Sequence, residues 1–331
     1  MAGSTERPDR NLAIEIVRVT EAAAMSAARW QGRGDKEAGD QAAVDAMRQV
    51  LDTVVMEGTI IIGEGEKDEA PMLFNGERVG TGQPPHVDLA VDPVDGTRLL
   101  AEGRPGAIAV LAAAPAGALF DPGPCVYMEK LVVGGQVADV VDLDRPLPDN
   151  LRAVARALDR DVSDITVMML DRDRHERAKA DVRGVGARLQ LIPDGDVAGA
   201  ILAAWEERPQ VDVLYGIGGT PEGVTSACAV KALGGQILGR LWARGDAEAS
   251  EARDAGYDLE RILTVDDLVT SEDSFFACTG ITNSQLLRGV LFDGIGAVTH
   301  SLVMRSKSGT VRTIEARHRL KKLREYAAVP Y

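Results

Sequence analysis

The chain has 331 residues, 45% hydrophobic and 27% charged, enough to bury a large core and to form two domains of ordinary size. A formal net charge of −14 argues against nucleic acid or an anionic membrane as principal partner, but not against a small anionic substrate, because bound cations invert local charge. No apolar run approaches the roughly 20 residues that cross a bilayer, and the polar N-terminus MAGSTERPDR has no apolar signal region, so a soluble cytoplasmic protein is expected.

Leu12, Ile16, Val19 and Ala23 recur at helical spacing and predict an amphipathic helix over 9–30. After a loop with Gly32, Gly34 and Gly39, a second helix is expected from a cap at Asp40, burying Val44, Met47, Leu51 and Val54. A strand at Thr59–Ile62 runs into Gly63-Glu64-Gly65-Glu66, and further strands are expected at 87–91, 107–114 and 126–141. Proline and charge around 143–150 predict a boundary between domains 1–148 and 149–331. Beyond it, helices at 149–158, 173–183, 196–206 and 221–233 alternate with strands at 165–170, 187–192 and 211–215, which predicts a largely parallel, helix-covered sheet. Segment 244–258 reads as a loop or short surface helix. Strands near 275–281, 296–305 and 310–315 form a closing antiparallel element able to pack back on the first domain, and 316–326 is a charged terminal helix. The widely spaced Cys125, Cys228 and Cys278 form neither a disulfide framework nor a zinc motif and read as small buried hydrophobes.

Residues 87–97, VDLAVDPVDGT, carry Asp92 and Asp95 out of the end of a strand, with Gly96 and Thr97 where a helix could begin. Acids at the carboxyl ends of strands in α/β proteins sit where ligands bind. Two carboxylates 4 Å apart repel by roughly 4 kcal/mol at an effective dielectric of 20. Such a pair is tolerable if one acid is protonated or a divalent cation lies between them; an Asx-type turn with a helix cap reads equally well from these residues alone. Glu64, Glu66, Asp68 and Glu69 crowd the next strand end, as a solvated loop or as hard oxygen ligands for magnesium or manganese. Residues 215–223, YGIGGTPEG, place a glycine turn and Pro221 at a helix start whose free amides suit phosphate, with a spacing that matches neither the dinucleotide fingerprint nor the P-loop. Glu222 there could cap the helix or ligate a metal. Pro193-Asp194-Gly195-Asp196 repeats the arrangement with Asp196 as a helix N-cap, and Arg172 and Arg174 could fork onto phosphate. Acids in the first half and glycine or arginine turns in the second predict a cleft with metal ions on one wall and a phosphorylated ligand on the other.

These motifs carry a resemblance. DPVDGT resembles the metal-binding motif of the lithium-sensitive phosphatase superfamily; GTIIIGEGEKDEAPML, YMEKL, IPDGDVA and VLYGIGGTPEGV resemble class II fructose-1,6-bisphosphatases of the GlpX type, from about Leu12 to Arg317. The resemblance implies a sugar-phosphatase layered α/β sandwich, with a metal-binding first subdomain, a sugar-phosphate-binding second one and the active site in the cleft between them. It implies hydrolysis of the 1-phosphate of fructose 1,6-bisphosphate to fructose 6-phosphate in gluconeogenesis, with two divalent ions, Mn2+ or Mg2+. The metal carboxylates fall on Asp40, Glu64, Asp92, Asp95 and Glu222. Substrate contacts fall on Asp95, Gly96, Thr97, Tyr127, Arg172, Asp173, Arg174, Asp194, Gly195, Asp196 and Gly219, and catalytic roles on Lys36, Asp68 and Thr97. Thr97 would orient or activate the attacking water, with Asp68 as base or orienter and Lys36 neutralising charge on the transferring group. Some members carry glutamate at the position of Asp95 and Lys-Pro-Arg at Arg172-Asp173-Arg174. A homo-oligomer, dimer or tetramer, is a family expectation. Alternatives are a dual fructose-1,6-/sedoheptulose-1,7-bisphosphatase, an inositol-monophosphatase-like enzyme, or a non-catalytic sugar-phosphate sensor.

Overall fold

A computed structural model describes residues 11–65 and 72–326. In chain order, α1 (Ala13–Ala28) and α2 (Lys36–Leu51) precede β1 (Glu57–Ile62), β2 (Arg78–Val79), β3 (His86–Asp95), α3 (Thr97–Glu102), β4 (Ile108–Pro115) and β5 (Tyr127–Val133). There follow α4 (Leu147–Ala157), β6 (Thr166–Leu170), α5 (Glu176–Gly184), β7 (Arg188–Ile192), α6 (Val197–Ala204), β8 (Val213–Gly219), α7 (Thr220–Leu233) and β9 (Gln236–Trp242). The chain continues through α8 (Asp246–Asp254), α9 (Val265–Leu268), β10 (Phe275–Gly280), β11 (Leu291–Phe292), β12 (Ala297–Arg305), β13 (Thr310–His318) and α10 (Leu320–Tyr326).

The unbroken apolar run of β4 explains the architecture, because a strand without polar alternation must be covered on both faces. Ala109, Leu111 and Ala113 pack with α1 and α2, whereas Ile108, Val110 and Ala112 pack with α6 and α7. In β5, Met128 and Val132 face the same α6–α7 layer, and Leu131 and Val133 join α4 on the far side. The result is five layers, helix, sheet, helix, sheet, helix, which is the predicted layered α/β sandwich. As the central layer, α7 buries side chains around its circumference, from Val224 and Ala227 to Cys228 and Val230. All three cysteines are free and buried, as expected.

The first sheet runs β11-β12-β10-β4-β3-β1-β2, with β13 paired along β12; the second runs β7-β6-β8-β5-β9. The closing strands β10, β12 and β13 are antiparallel and belong to the first sheet. Parallel pairing in the second sheet is confined to β7-β6-β8, since β5 lies antiparallel between β8 and β9. The sheet is therefore mixed rather than largely parallel, and β9 was not anticipated. The strand expected over 126–141 stops at Val133, where Gly134 leads into a 3-10 turn at Gly135–Val140. Segment 244–258 contains the surface helix α8.

The second helix also starts earlier than expected. Asp35, not Asp40, caps α2, its carboxylate accepting the Ala38 N–H at 3.0 Å. Asp40 lies one turn inside. Gly39 beside it allows close approach of α3, because a Cβ there would sit 2.9 Å from Leu100 Cδ2. Among the described residues no helix is long and apolar enough to cross a membrane.

Candidate active site

The ends of these elements enclose a cavity of about 500 Å³. From the first sheet come Glu64 after β1, Asp92 and Asp95 at the end of β3, and Gly96 and Thr97 at the start of α3. Helix α2 adds Lys36 and Asp40 from its first turns. The second sheet supplies Arg172 and Arg174 after β6, Asp194, Gly195 and Asp196 before α6, and Gly219 and Glu222 at the junction of β8 and α7. Tyr127 joins them because β5 runs antiparallel to β8, which pairs its first residue with Gly219.

Local geometry explains how two acids three positions apart share one site. The pairing of β3 with β4 shifts register between Asp92, opposite Val110, and Asp95, opposite Ile108. The Val94 N–H donates to Asp92 Oδ1 at 3.0 Å, so the Asx-type turn read from the sequence is present. Gly96 then turns left-handed, at φ 93°, to start α3. The two walls of the cavity nearly touch here: a Cβ on Gly195 would lie 2.9 Å from Asp95 Oδ1.

Burial and mutual repulsion hold the acids above the usual carboxylate range. Glu64 is pushed up to about 8 by burial, reinforced by Asp40 and Glu222. Asp92 rises through burial and the neighbouring charges of Asp95, Glu64, Glu222 and Asp40. Asp95 and Glu222 rise through burial and Asp196, a rise that Lys130 opposes. Burial also raises Asp40, against the pull of Lys36. Asp95 Oδ2 and Glu222 Oε2 are buried and accept no hydrogen bond. Among the described residues no three carboxylate, imidazole or thiolate groups already stand as a finished coordination sphere. Buried oxygens without donors are costly, and crowded hard oxygen atoms suit a divalent cation, so the donor set fits such an ion.

On the opposite wall Arg172 and Arg174 are firmly held. Arg172 donates to Pro193 O at 2.5 Å and pairs with Asp194 at 3.1 Å. Arg174 donates to Ile217 O at 2.7 Å, and its guanidinium lies 5.1 Å from the centre of the Tyr127 ring. The buried His175 links these strands. Its Nε2 accepts the Ile217 N–H at 2.8 Å, and its Nδ1–H donates to Leu170 O at 2.7 Å. Burial lowers its pKa, in keeping with the neutral ring this pattern needs.

The cavity thus gathers fifteen of the seventeen predicted site positions, all but Asp173 and Asp68. Asp173 is exposed in the turn Asp173–His175 and does not line it, and Asp68 lies outside the described residues. Asp196 differs from expectation: it precedes α6, but its carboxylate makes no capping bond and instead pairs with Lys130 Nζ at 2.5 Å. Sequence reasoning missed Lys130 and His175. The signal for Lys130 was parity, since position 130 shares a strand face with Met128 and Val132. His175, alone after a strand, carried no comparable signal.

Comparison with known proteins shows the family of the chain. The family model for bacterial fructose-1,6-bisphosphatase, glpX-encoded, matches residues 10–318. Fructose-1,6-bisphosphatase 1 class 2 of Escherichia coli K12 is 46% identical over 324 residues, covering 94% of this chain and 96% of that protein. The class 2 fructose-1,6-bisphosphatases of Escherichia coli O6:H1 and of Shigella flexneri match with the same identity and coverage. The chain belongs to the GlpX-type, class II fructose-1,6-bisphosphatase family.

Proposed function

We propose that this chain hydrolyses the 1-phosphate of fructose 1,6-bisphosphate, releasing fructose 6-phosphate and phosphate in gluconeogenesis, with a divalent cation, Mn2+ or Mg2+, as cofactor. The observation that carries the reading is one cavity lined at once by Asp40, Glu64, Asp92, Asp95 and Glu222 and by Lys36, Arg172 and Arg174. The acids alone would repel a phosphate ester, and the cations alone would not need so many buried carboxylates.

Asp40, Glu64, Asp92, Asp95 and Glu222 would hold the cation, the unpartnered Asp95 Oδ2 and Glu222 Oε2 among the donors. Divalent ions bound there supply Lewis acidity and offset charge on the phosphoryl oxygens, needed because phosphate monoesters are among the slowest bonds to hydrolyse unaided. Thr97, at the start of α3 beside Asp95, orients the attacking water, with Asp68 as its proposed base or orienter. Lys36, at the mouth of the cavity, offsets charge on the transferring group. Arg172, Arg174, Tyr127 and Gly219 at the start of α7 bind the rest of the sugar phosphate, with Asp194, Gly195 and Asp196 bordering it.

Values of kcat/KM for fructose 1,6-bisphosphate, sedoheptulose 1,7-bisphosphate and an inositol monophosphate test the substrate. The fructose ester should be preferred over both. A preference for inositol phosphate, or binding of the fructose ester without phosphate release, would overturn the reading.

A further inference from the structure

Lys130 does not line the cavity, yet it packs directly beneath lining residues Asp196, Gly218 and Gly219. The side chain is 2% exposed, on the inward face of β5. Its ammonium lies 2.5 Å from Asp196 Oδ2 and donates to Gly219 O at 3.1 Å. Asp196 itself is 5% exposed. The glycines of the 215–223 motif make the room. A Cβ on Gly218 would stand 2.1 Å from Asp196 Oδ2 and 2.9 Å from Lys130 Nζ, and one on Gly223 would stand 3.3 Å from Lys130 Cδ. Lys130 is also the positive charge that faces Asp95 and Glu222 from beneath the site. A buried ammonium loses its hydration, so such a residue persists where it is paired and hydrogen-bonded on several sides, as here.

We propose that Lys130 is a positioning residue for phosphate-ester hydrolysis: its ammonium ties the Asp196 carboxylate to the Gly219 carbonyl and so keeps the substrate-binding turn 193–196 in register with the start of α7. The inference rests on the phosphatase reading of the cavity and adds a residue that does not itself meet the substrate. Gly195, next to Asp196, abuts Asp95 Oδ1, so a loosened turn also disturbs the seam between the two walls.

The test compares Lys130→Met, Asp196→Asn and the double variant by KM and kcat for fructose 1,6-bisphosphate. Lys130→Met leaves a buried carboxylate unpaired and should raise KM about tenfold or more, with a smaller fall in kcat. Because Lys130 acts through Asp196, adding Lys130→Met to Asp196→Asn should change KM by less than about threefold. That comparison stands even if Lys130→Met alone fails to fold, since the double variant removes both charges. Losses that multiply in the double variant, or a folded Lys130→Met with parental KM, would overturn the proposal. Parental turnover tests the phosphatase reading separately. In a protein without turnover, calorimetric affinity for inorganic phosphate across the same variants decides the role of Lys130.

Discussion

Replacing Glu64 with glutamine should stabilise the cation-free protein, and should do so by less once a divalent cation is bound. Without one, burial and the Asp40 and Glu222 carboxylates lift Glu64 from 4.5 to about 8. Between those values the folded chain holds a proton that the unfolded chain has lost, so stability falls as pH rises through this window. The slope from this one group is about 1.4 kcal/mol per pH unit, or at most roughly 5 kcal/mol across the window. Glu64→Gln cannot ionise and removes that slope, so urea unfolding in EDTA at pH 8.5 should show the variant more stable by several kcal/mol. Mn2+ should narrow that difference. The parent gains about 2.7 kcal/mol when the cation is at a hundred times its Kd, and the variant, with one anionic ligand fewer, gains less. An unchanged pH slope in EDTA, or a glutamine effect of the same sign and size with and without Mn2+, would refute the reasoning.

Two further predictions address separate parts of the molecule. Thr97→Ala should lower kcat more than about tenfold with a smaller change in KM, because the hydroxyl acts on the water and not on the sugar; steady-state kinetics decide it. Glu21 lies far from the chemistry, buried between α1 and β12, where the Thr299 hydroxyl donates to it at 3.3 Å. Burial pushes it up to about 7, so it weakens the fold as pH rises from 4.5 to about 7. Glu21→Gln should raise stability at pH 8 by up to roughly 3 kcal/mol while leaving phosphate release unchanged, as thermal unfolding and the phosphatase assay would show.

What was legible in the sequence follows from periodicity and from position at element ends. The apolar run at 107–114 read as a strand, which became β4, and the acids at the ends of β1 and β3 read as a candidate site. Contacts between distant segments were not legible. Asp196 read as a cap because caps are local, whereas its partner Lys130 comes from another strand. The start of α2 was misplaced by one turn because Gly39 suggested a break, while in the helix it serves packing against Leu100. Strand β9 escaped notice because Gly239 and Arg240 interrupt its apolar pattern, yet Gly239 is needed there: a Cβ would meet Met128 Sδ at 2.4 Å. The residues alone suggested one cleft for the acids and the glycine turn, and the resemblance implied which reaction it serves, which local patterns left open.

The most direct test of the account is phosphate release from fructose 1,6-bisphosphate by the full chain with Mn2+, with Mg2+ and with EDTA. The account predicts turnover with a divalent cation, its loss in EDTA and its return when the cation is restored. Release undiminished by EDTA, or none with either cation from folded protein, would contradict it.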